Sequence, residues 1–326
     1  MAQVQLRGRR AQLILKEESA TGTYEVPAGD GTGTLLIEDG WSYTPNSTNF
    51  QGQYARSDFL NVEEVPGPAS AVITWRMPIK GSGTAGTAPD FDVVMKACGW
   101  EVTNVVATSD TYAPHSAVDG VGGNPGPSYS CTLLVDGEAY PAKNGFANFV
   151  LSANVGEPGF LDVTFTGGYV APLADALETT TTLDATTPPA FLGAGATIGG
   201  ATPTGVTALT LDSGNVITLL QDANDTNGVT GARMVSRLIT GSIDAEVLAA
   251  RDDFSLWRAG TTGILNIGPI GGTAGNKWTL VVARYSLQTP AMSSVDGILK
   301  HTIPFMAASQ PADVEGTTDP VTLAFT

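Results

Sequence analysis

The sequence predicts a mainly β protein of two related antiparallel halves, residues 1–175 and 191–326, each with one flanking α-helix and joined by a linker over 176–190. Three features carry this expectation. The 326 residues include 39 Gly and 20 Pro but only 15% charged residues, which is the make-up of a turn-rich β chain and not of a helical or disordered one. Apolar and polar residues alternate along several runs, as Leu161, Val163 and Phe165 do against Asp162 and Thr164. That period of two marks a sheet with one face on a core. The order of elements then repeats along the chain.

In the first half, strand-like runs cover 33–40, 70–79, 130–137, 145–153 and 159–170. The loops between them include "YTPNSTN" (43–49) and "DGVGGNPGPS" (119–128), and connections of that length are functional or disordered as a rule. The Thr-rich stretch 173–190 ends in Pro188-Pro189 and reads as a linker. Strand-like runs resume at 206–220, 232–243, 277–287 and 297–307.

At an offset of 174, Leu35, Ile37, Glu38 and Gly40 match Leu209, Leu211, Asp212 and Gly214. Each half then has an Arg-bearing strand ending in Gly, "WRMPIKG" or "SRLITG", followed by its one helix. In the first, "APDFDVVMKACG" places Phe91, Val94, Met95 and Cys98 at helical spacing before a Gly99 stop. In the second, the helix is expected within "SIDAEVLAARDDFSLWRAG", with acids near its start, Arg258 in its last turn and Gly260 after it.

The formal net charge of −16 is unevenly spread. Arg7, Arg9, Arg10 and Lys16 stand in the first 16 residues without an acid, so the remainder sets all 32 acids against 12 bases, a net of −20. Nucleic-acid binders need Lys and Arg to displace counterions from phosphate, so specific DNA binding is not expected of this body. A surface past which DNA slides without sticking is compatible with it. Cys98 and Cys131 are the only cysteines, too few for a disulfide framework and without metal-ligand spacing, and both read as small buried apolar residues. The apolar run "AQLIL" after the basic start is too short for a signal peptide and meets Lys16, Glu17 and Glu18. No run of 18 apolar residues exists, so the expected setting is a soluble, reducing compartment.

One motif invites a catalytic reading. Gly81, Gly83 and Gly86 form a literal G-x-G-x-x-G between a strand-like and a helix-like run. A dinucleotide cradle needs the helix to start inside the motif and the strand to be apolar throughout. Here Thr87, Ala88 and Pro89 delay the helix, and Thr74, Arg76 and Lys80 interrupt the strand. The junction "RLITGSIDAEV" in the second half has no such loop, so the glycines read as a flexible insertion, residues 80–89, that makes a subunit or ring contact and is ordered by assembly.

His115 and His301 lie far apart and outside any metal or triad pattern, and surface or loop positions are expected for both. "QDANDTNG" (221–228) resembles a calcium loop but lacks its Gly and closing Glu, leaving a hairpin tip. "GAGATIGG" (193–200) lacks the Lys-Ser/Thr of a phosphate loop. Glu17-Glu18, Glu63-Glu64 and Asp252-Asp253 are adjacent acids and read as solvated surface charge. No catalytic residue, cofactor or metal is expected.

The stretch "ITWRMPIKGSGTAGTAPDFDVVMKACGWEVT" (73–103) resembles the tail tube (major tail) proteins of long-tailed, non-contractile, siphovirus-like bacteriophages and prophages. The resemblance continues through "YTPNSTNF", "LDVTFTGGYVAP", "PPAFLGAGATIGG", "LTLDSGN" and "ITGSIDAEVLAARDDFSLWRAGT", an ordered series covering most of the chain. It implies two tail-tube-type antiparallel β-sandwich/barrel domains, the first carrying the basic N-terminal arm. It also implies a structural, non-enzymatic virion protein whose rings stack into a hollow tube for DNA passage into the host. A duplicated chain implies a trimer imitating a hexamer; otherwise the ring is a homohexamer.

The implied partners are other copies of the chain, a tape measure protein, and tail terminator and distal tail proteins, with viral DNA crossing the lumen unbound and no membrane involved. The implied location is the virion tail, after assembly in the host cytoplasm. Arg7, Arg9 and Arg10 of the basic arm, with Gly81, Gly83 and Gly86, are the expected assembly contacts. The alternatives are a single-ring tail component, or a receptor- or carbohydrate-binding β-sandwich displaying Trp41, Tyr43 and Tyr54.

Overall fold

A computed structural model describes residues 10–29, 31–52, 54, 60, 63–115, 118–119, 124–125, 127–178, 183–246, 252–295, 297–310, 313 and 318–326. The protein is mainly β: among the described residues, 55% are in strands and there are two short helices. In the first half, β1 (Ala11–Glu17) carries the two-residue β2 (Thr34–Leu35). A long hairpin of β3 (Ser42–Gln51) and β4 (Glu64–Pro78) leads through a loop to α1 (Asp92–Ala97). The hairpin β5 (Trp100–Val105) and β6 (Ser109–Pro114) follows, then the small ladder of β7 (Val118–Asp119) and β8 (Asn124–Pro125). The half closes with β9 (Tyr129–Val135), β10 (Glu138–Asn154) and β11 (Phe160–Tyr169), and β12 (Leu173–Ala174) returns to the start of β10.

The second half begins with β13 (Thr197–Ile198) and β14 (Ala208–Asp212). A separate two-stranded sheet, β15 (Asn215–Gln221) with β16 (Val229–Arg237), comes next. Then follow β17 (Thr240–Glu246), α2 (Asp253–Arg258), β18 (Thr262–Ile270) and β19 (Trp278–Leu287). The hairpin β20 (Ala291–Val295) and β21 (Ile298–Ala307) precedes a final β22 (Val321–Phe325).

Sheet order in the first half is β1–β9–β10–β11–β4–β3. In the second it is β13–β18–β19–β21–β17–β14. The two lists correspond strand for strand in chain order as well, with α1 after β4 and α2 after β17. The halves are not separate bodies in the sheet, because β14 adds to the edge of β10 and β22 bridges β19 to β6. They also share one core. Phe91 beside α1 packs on Phe325 at 5.4 Å, and Tyr112 of β6 meets the same ring at 6.1 Å. Burying each such side chain contributes about 1.5–3 kcal/mol.

Alternation explains most strands. Ala71, Ile73, Trp75 and Met77 of β4 are buried, as are Leu161, Val163 and Phe165 of β11, while the polar residues between them face out. Helix α1 buries Val94, Met95 and Ala97 and stops at Gly99, whose φ of 71° is left-handed and suits glycine. The hairpin tip read in "QDANDTNG" is the turn between β15 and β16.

Several expectations are corrected. The helix read from 242 begins only at Asp253, because Ile243 and Ala245 alternate with Ser242 and Asp244 and are buried in β17, between β14 and β21. The loop read at 43–49 is β3, whose exposed polar residues hid its pairing to β4. Of the run 33–40 only Thr34–Leu35 is strand. The offset of 174 sets Leu35 of β2 beside Leu209 of β14, strands that hold different places in the sheet; register instead matches β14 to Ser42–Asn46 of β3, an offset of 166. The stretch read as a linker is tied down: Leu173–Ala174 pairs with β10, Glu178 is buried and its main chain exchanges hydrogen bonds with the Gln12 side chain.

Candidate assembly surface

The glycine loop is already ordered within the chain. Gly81 is buried, and its N–H donates to Asn276 Oδ1 at 2.7 Å, while Asn276 Nδ2 donates to the Thr187 carbonyl at 2.9 Å. Gly83 N–H donates to the Gly275 carbonyl at 3.2 Å. The amides that a pyrophosphate would need are therefore taken by protein acceptors. A Cβ at Gly81 would fall on the Gly275 carbonyl and 2.9 Å from Asn276 Cα, and one at Gly275 would lie 2.6 Å from Ala85 N. The second half thus has its own Gly-Thr-Ala-Gly, residues 272–275, between β18 and β19, and it interlocks with Gly-Thr-Ala-Gly 83–86. This packing within the chain corrects the expectation that residues 80–89 are ordered by assembly.

Lys80, 3% exposed, closes the base of the loop. Its Nζ donates to the Asp184 carbonyl and lies 3.8 Å from Asp90 Oδ2, which in turn accepts Asp184 N–H at 2.8 Å. Of the expected contact residues, Gly83 is exposed and Gly86 half-buried, with a Cβ site 2.7 Å from the Val105 carbonyl. Arg10 is exposed and pairs in-chain with Asp136 at 2.6 Å, tying β1 to the β9–β10 turn. Arg7 and Arg9 lie outside the described residues.

The junction between the halves shows what this fold uses as an interface. Ala208–Asp212 of β14 runs antiparallel along Val150–Asn154 of β10, extending the first-half sheet by one strand. The β15–β16 hairpin then folds back across that sheet. Its tip gives the Asn227 carbonyl to Ala69 N–H at 2.8 Å, Asn227 Nδ2 donates to the Tyr169 carbonyl, and Lys143 lies 3.6 Å from Asp225. At its base, Arg237 Nη2 donates to the Cys98 and Gly99 carbonyls at 3.1 and 2.8 Å, and Asn215 Nδ2 to Cys98 and Ala147 at 2.8 and 2.9 Å. The Cys98 and Gly99 carbonyls lie at the C-terminal end of α1, and Ala147 on β10. Across this junction one half docks on the other by an edge strand plus a covering hairpin.

Compared with known proteins, the chain matches no family model and no curated relative.

Other polar groups have structural partners. Glu18 is buried, not solvated, and accepts Ser128 Oγ, Ser130 Oγ, Gly22 N–H and Asn144 N–H at 2.6, 2.7, 2.7 and 2.5 Å. His301 is also buried, on β21, with Nδ1 3.2 Å from the buried Asp253 Oδ2 and its ring edge-on to Phe254. Asp252 caps α2 through Ser255 N–H at 3.0 Å, so neither acid of that pair is idle surface charge. His115, half-buried after β6, lies 3.2 Å from Glu101 Oε2. Burial drives both cysteine thiols well above their usual pKa. Among the described residues no group of three or more His, Cys, Asp or Glu is placed to hold a metal ion, and no helix is long and apolar enough to cross a membrane.

The surface features that remain are strand edges and apolar tips. β3 pairs with β4 alone, and among the described residues no strand lies on its other edge. β20 likewise pairs only with β21. Beyond Asn46 the β3–β4 arm projects, with the register partners Phe50 and Val65 exposed at 67% and 61%. On the second half, Phe254, Met292 and Leu299 are exposed around α2 and the β20–β21 hairpin. Sequence reading missed both edges: "YTPNSTN" and "AMSSV" lack a buried face, so no alternation marks them.

Proposed function

We propose that this chain is a self-assembling structural subunit of the tail-tube type, two related antiparallel β domains that build rings stacked into a hollow tube. One observation carries the reading. The two halves have the same strand order, and the second joins the first by adding a strand to its sheet edge. A module that joins its twin edge to edge can continue the series in further copies, and a contact of that head-to-tail kind closes into a ring when the rotation allows. A trimer with six tube domains per ring is the form expected of a duplicated chain.

Charge supports the same reading. An acidic wall repels phosphate, so DNA passes with weak, screened contacts. The role is architectural, with no reaction to catalyse, and its setting is the virion tail with the tape measure, terminator and distal tail proteins as neighbours. Negative-stain electron microscopy of the purified full chain tests this. Rings with about six-fold appearance or regular hollow tubes are expected. A chain that stays monomeric at high concentration refutes it.

A further inference from the structure

We infer that copies join by antiparallel pairing of the open edge of β3 in one copy, over Thr44–Asn46, with the open edge of β20, Ser293–Val295, in the next. The inference rests on the proposed self-assembly and names the strands, the register and the covering contact. Its template is the junction inside the chain.

The template needs three structural equivalences. β14 corresponds to the first five residues of β3, since each runs antiparallel to the strand preceding its helix: Ala208–Asp212 against Asp244–Thr240, and Ser42–Asn46 against Thr74–Ser70. β17 corresponds to β4. β10 corresponds to β19 and β20 taken together. β10 spans Glu138–Asn154, pairs along one edge with β11, and shares its other edge between β9 near its start and β14 near its end. β19 and β20 run from Trp278 to Val295 with a short break. Late β19 and all of β20 lie against β21, while β18 takes the other edge of β19.

Only the place held by β14 on β10 has no counterpart on β20. The strand equivalent to β14, β3, is the one whose own outer edge is open. One chain therefore presents both halves of the contact it uses internally, pointing at other copies. Carrying the register across, with Thr74 matched to Asp244, Thr164 to Thr302 and Asn148 to Ala291, Val150 opposite Asp212 and Ser152 opposite Thr210 become Ser293 opposite Asn46 and Val295 opposite Thr44. Asn46 then faces Ser293, both exposed in the single chain.

The arm beyond Asn46 has the place of β15–β16, which covers the sheet it joins and reaches the end of α1. The equivalent cover on the next copy carries Phe50 and Val65 to Phe254, Met292 and Leu299 beside α2. The end of α2 is bare: Arg258 to Thr262 are exposed, and a Cβ at Gly260 would touch nothing within 4 Å. Charge favours the same partners, since the arm bears the exposed Glu63 and Glu64 while Arg258 and Lys300 flank the acceptor. Strand addition of this kind gains main-chain hydrogen bonds on an edge that otherwise risks unspecific pairing.

The test is a cysteine pair, Asn46→Cys with Ser293→Cys, in the full chain. Both native cysteines are buried and will not compete. Directly opposed positions in an antiparallel pair have Cβ atoms about 4.5–5.5 Å apart, within reach of a disulfide after small adjustment. Mild oxidation is expected to give a ladder on non-reducing gels that ends at the closed ring, with at most trace dimer from either single variant. A second variant, Ser294→Pro, removes a β20 donor that faces the open edge, since the alternation of the β20–β21 ladder turns the Ser293 N–H toward Lys300, and it is expected to abolish rings while thermal midpoint and circular dichroism stay at wild-type values. Rings that form without the cross-link and survive Ser294→Pro overturn this pairing and leave the proposed function standing. A wild-type chain that forms no rings or tubes removes both.

Discussion

Replacing Gly81 by Ala is expected to destabilise the protein by about 3 kcal/mol, although the sequence places the residue in a flexible loop. The added Cβ would fall on the Gly275 carbonyl and 2.9 Å from Asn276 Cα. Gly275 has no room to retreat, because its own Cβ direction points 2.6 Å from Ala85 N across the interlocked loop. Relief requires pushing the 273–276 turn away from Gly81. Overpacking of this kind costs about 1–3 kcal/mol, and parting Gly81 N–H from Asn276 leaves a buried donor unsatisfied for another ~1–3 kcal/mol. Gly83→Ala is the control. That site is exposed at φ 77°, with only the Thr186 side chain near its Cβ, so its cost is the left-handed backbone alone, about 1–2 kcal/mol. Guanidinium unfolding followed by tryptophan fluorescence measures both, with the buried Trp278 two residues beyond Asn276 as a local reporter. A Gly81→Ala protein within about 0.5 kcal/mol of wild type refutes the interlocked-loop account.

Two further outcomes are expected of the same fold. Glu18→Gln should cost about 2 kcal/mol, since Gly22 N–H and Asn144 N–H approach different carboxyl oxygens and an amide NH2 must face one of them; unfolding at neutral pH with no change in midpoint would show that Glu18 does not act as a shared acceptor. Alkaline pH should weaken the fold. Burial pushes Tyr43 up to about 12 and holds Tyr112 and Tyr129 higher still, with Asp92 adding to the effect at Tyr112, so the folded chain keeps protons that the unfolded chain releases above pH 10. The stabilisation is complete below pH 10 and is lost as pH rises beyond it. Difference absorbance should show these hydroxyls titrating only with unfolding, and ionisation of all eight tyrosines at a normal midpoint in a still-folded chain would contradict it.

What was legible in the sequence follows burial. β4 and β11 announce themselves because Ile73, Trp75, Val163 and Phe165 alternate with outward polar residues, and β19 through its apolar run from Leu280 to Ala283. β3 and β20 do not, since nearly every residue on them is exposed and alternation needs a buried face. β17 was read as helix because "SIDAEVLAARDD" has helix-forming residues and acids at its start, and the alternation of Ile243 and Ala245 is short. Tertiary pairing to β14 and β21 decided it. The buried roles of Glu18, His301 and Asp253 come mostly from partners 48 to 126 positions away, contacts that adjacency in sequence cannot disclose. The repeated Gly-Thr-Ala-Gly was visible as a string. Its meaning was not, since the second copy sits between different strands.

The difference between the halves lies in one bend. In the first half β3 and β4 run from sheet to arm with only a bulge at Ser47 and Asn49, so the distal hairpin stays extended. In the second, β14 breaks from β15 at Gly214, whose φ of 61° is left-handed and whose Cβ position lies 2.6 Å from the Leu238 carbonyl carbon. Only glycine permits that turn, and Leu238 N–H closes it on the Gly214 carbonyl at 3.0 Å. Bent there, the hairpin lands on the chain's own first half. Without a glycine at the corresponding place, the first-half arm has no such fold-back open to it and stays extended. On the proposed assembly, a chain with both hairpins bent inward would satisfy itself and stop; with one bent and one extended, each added copy would consume one open edge and present another until the ring closed.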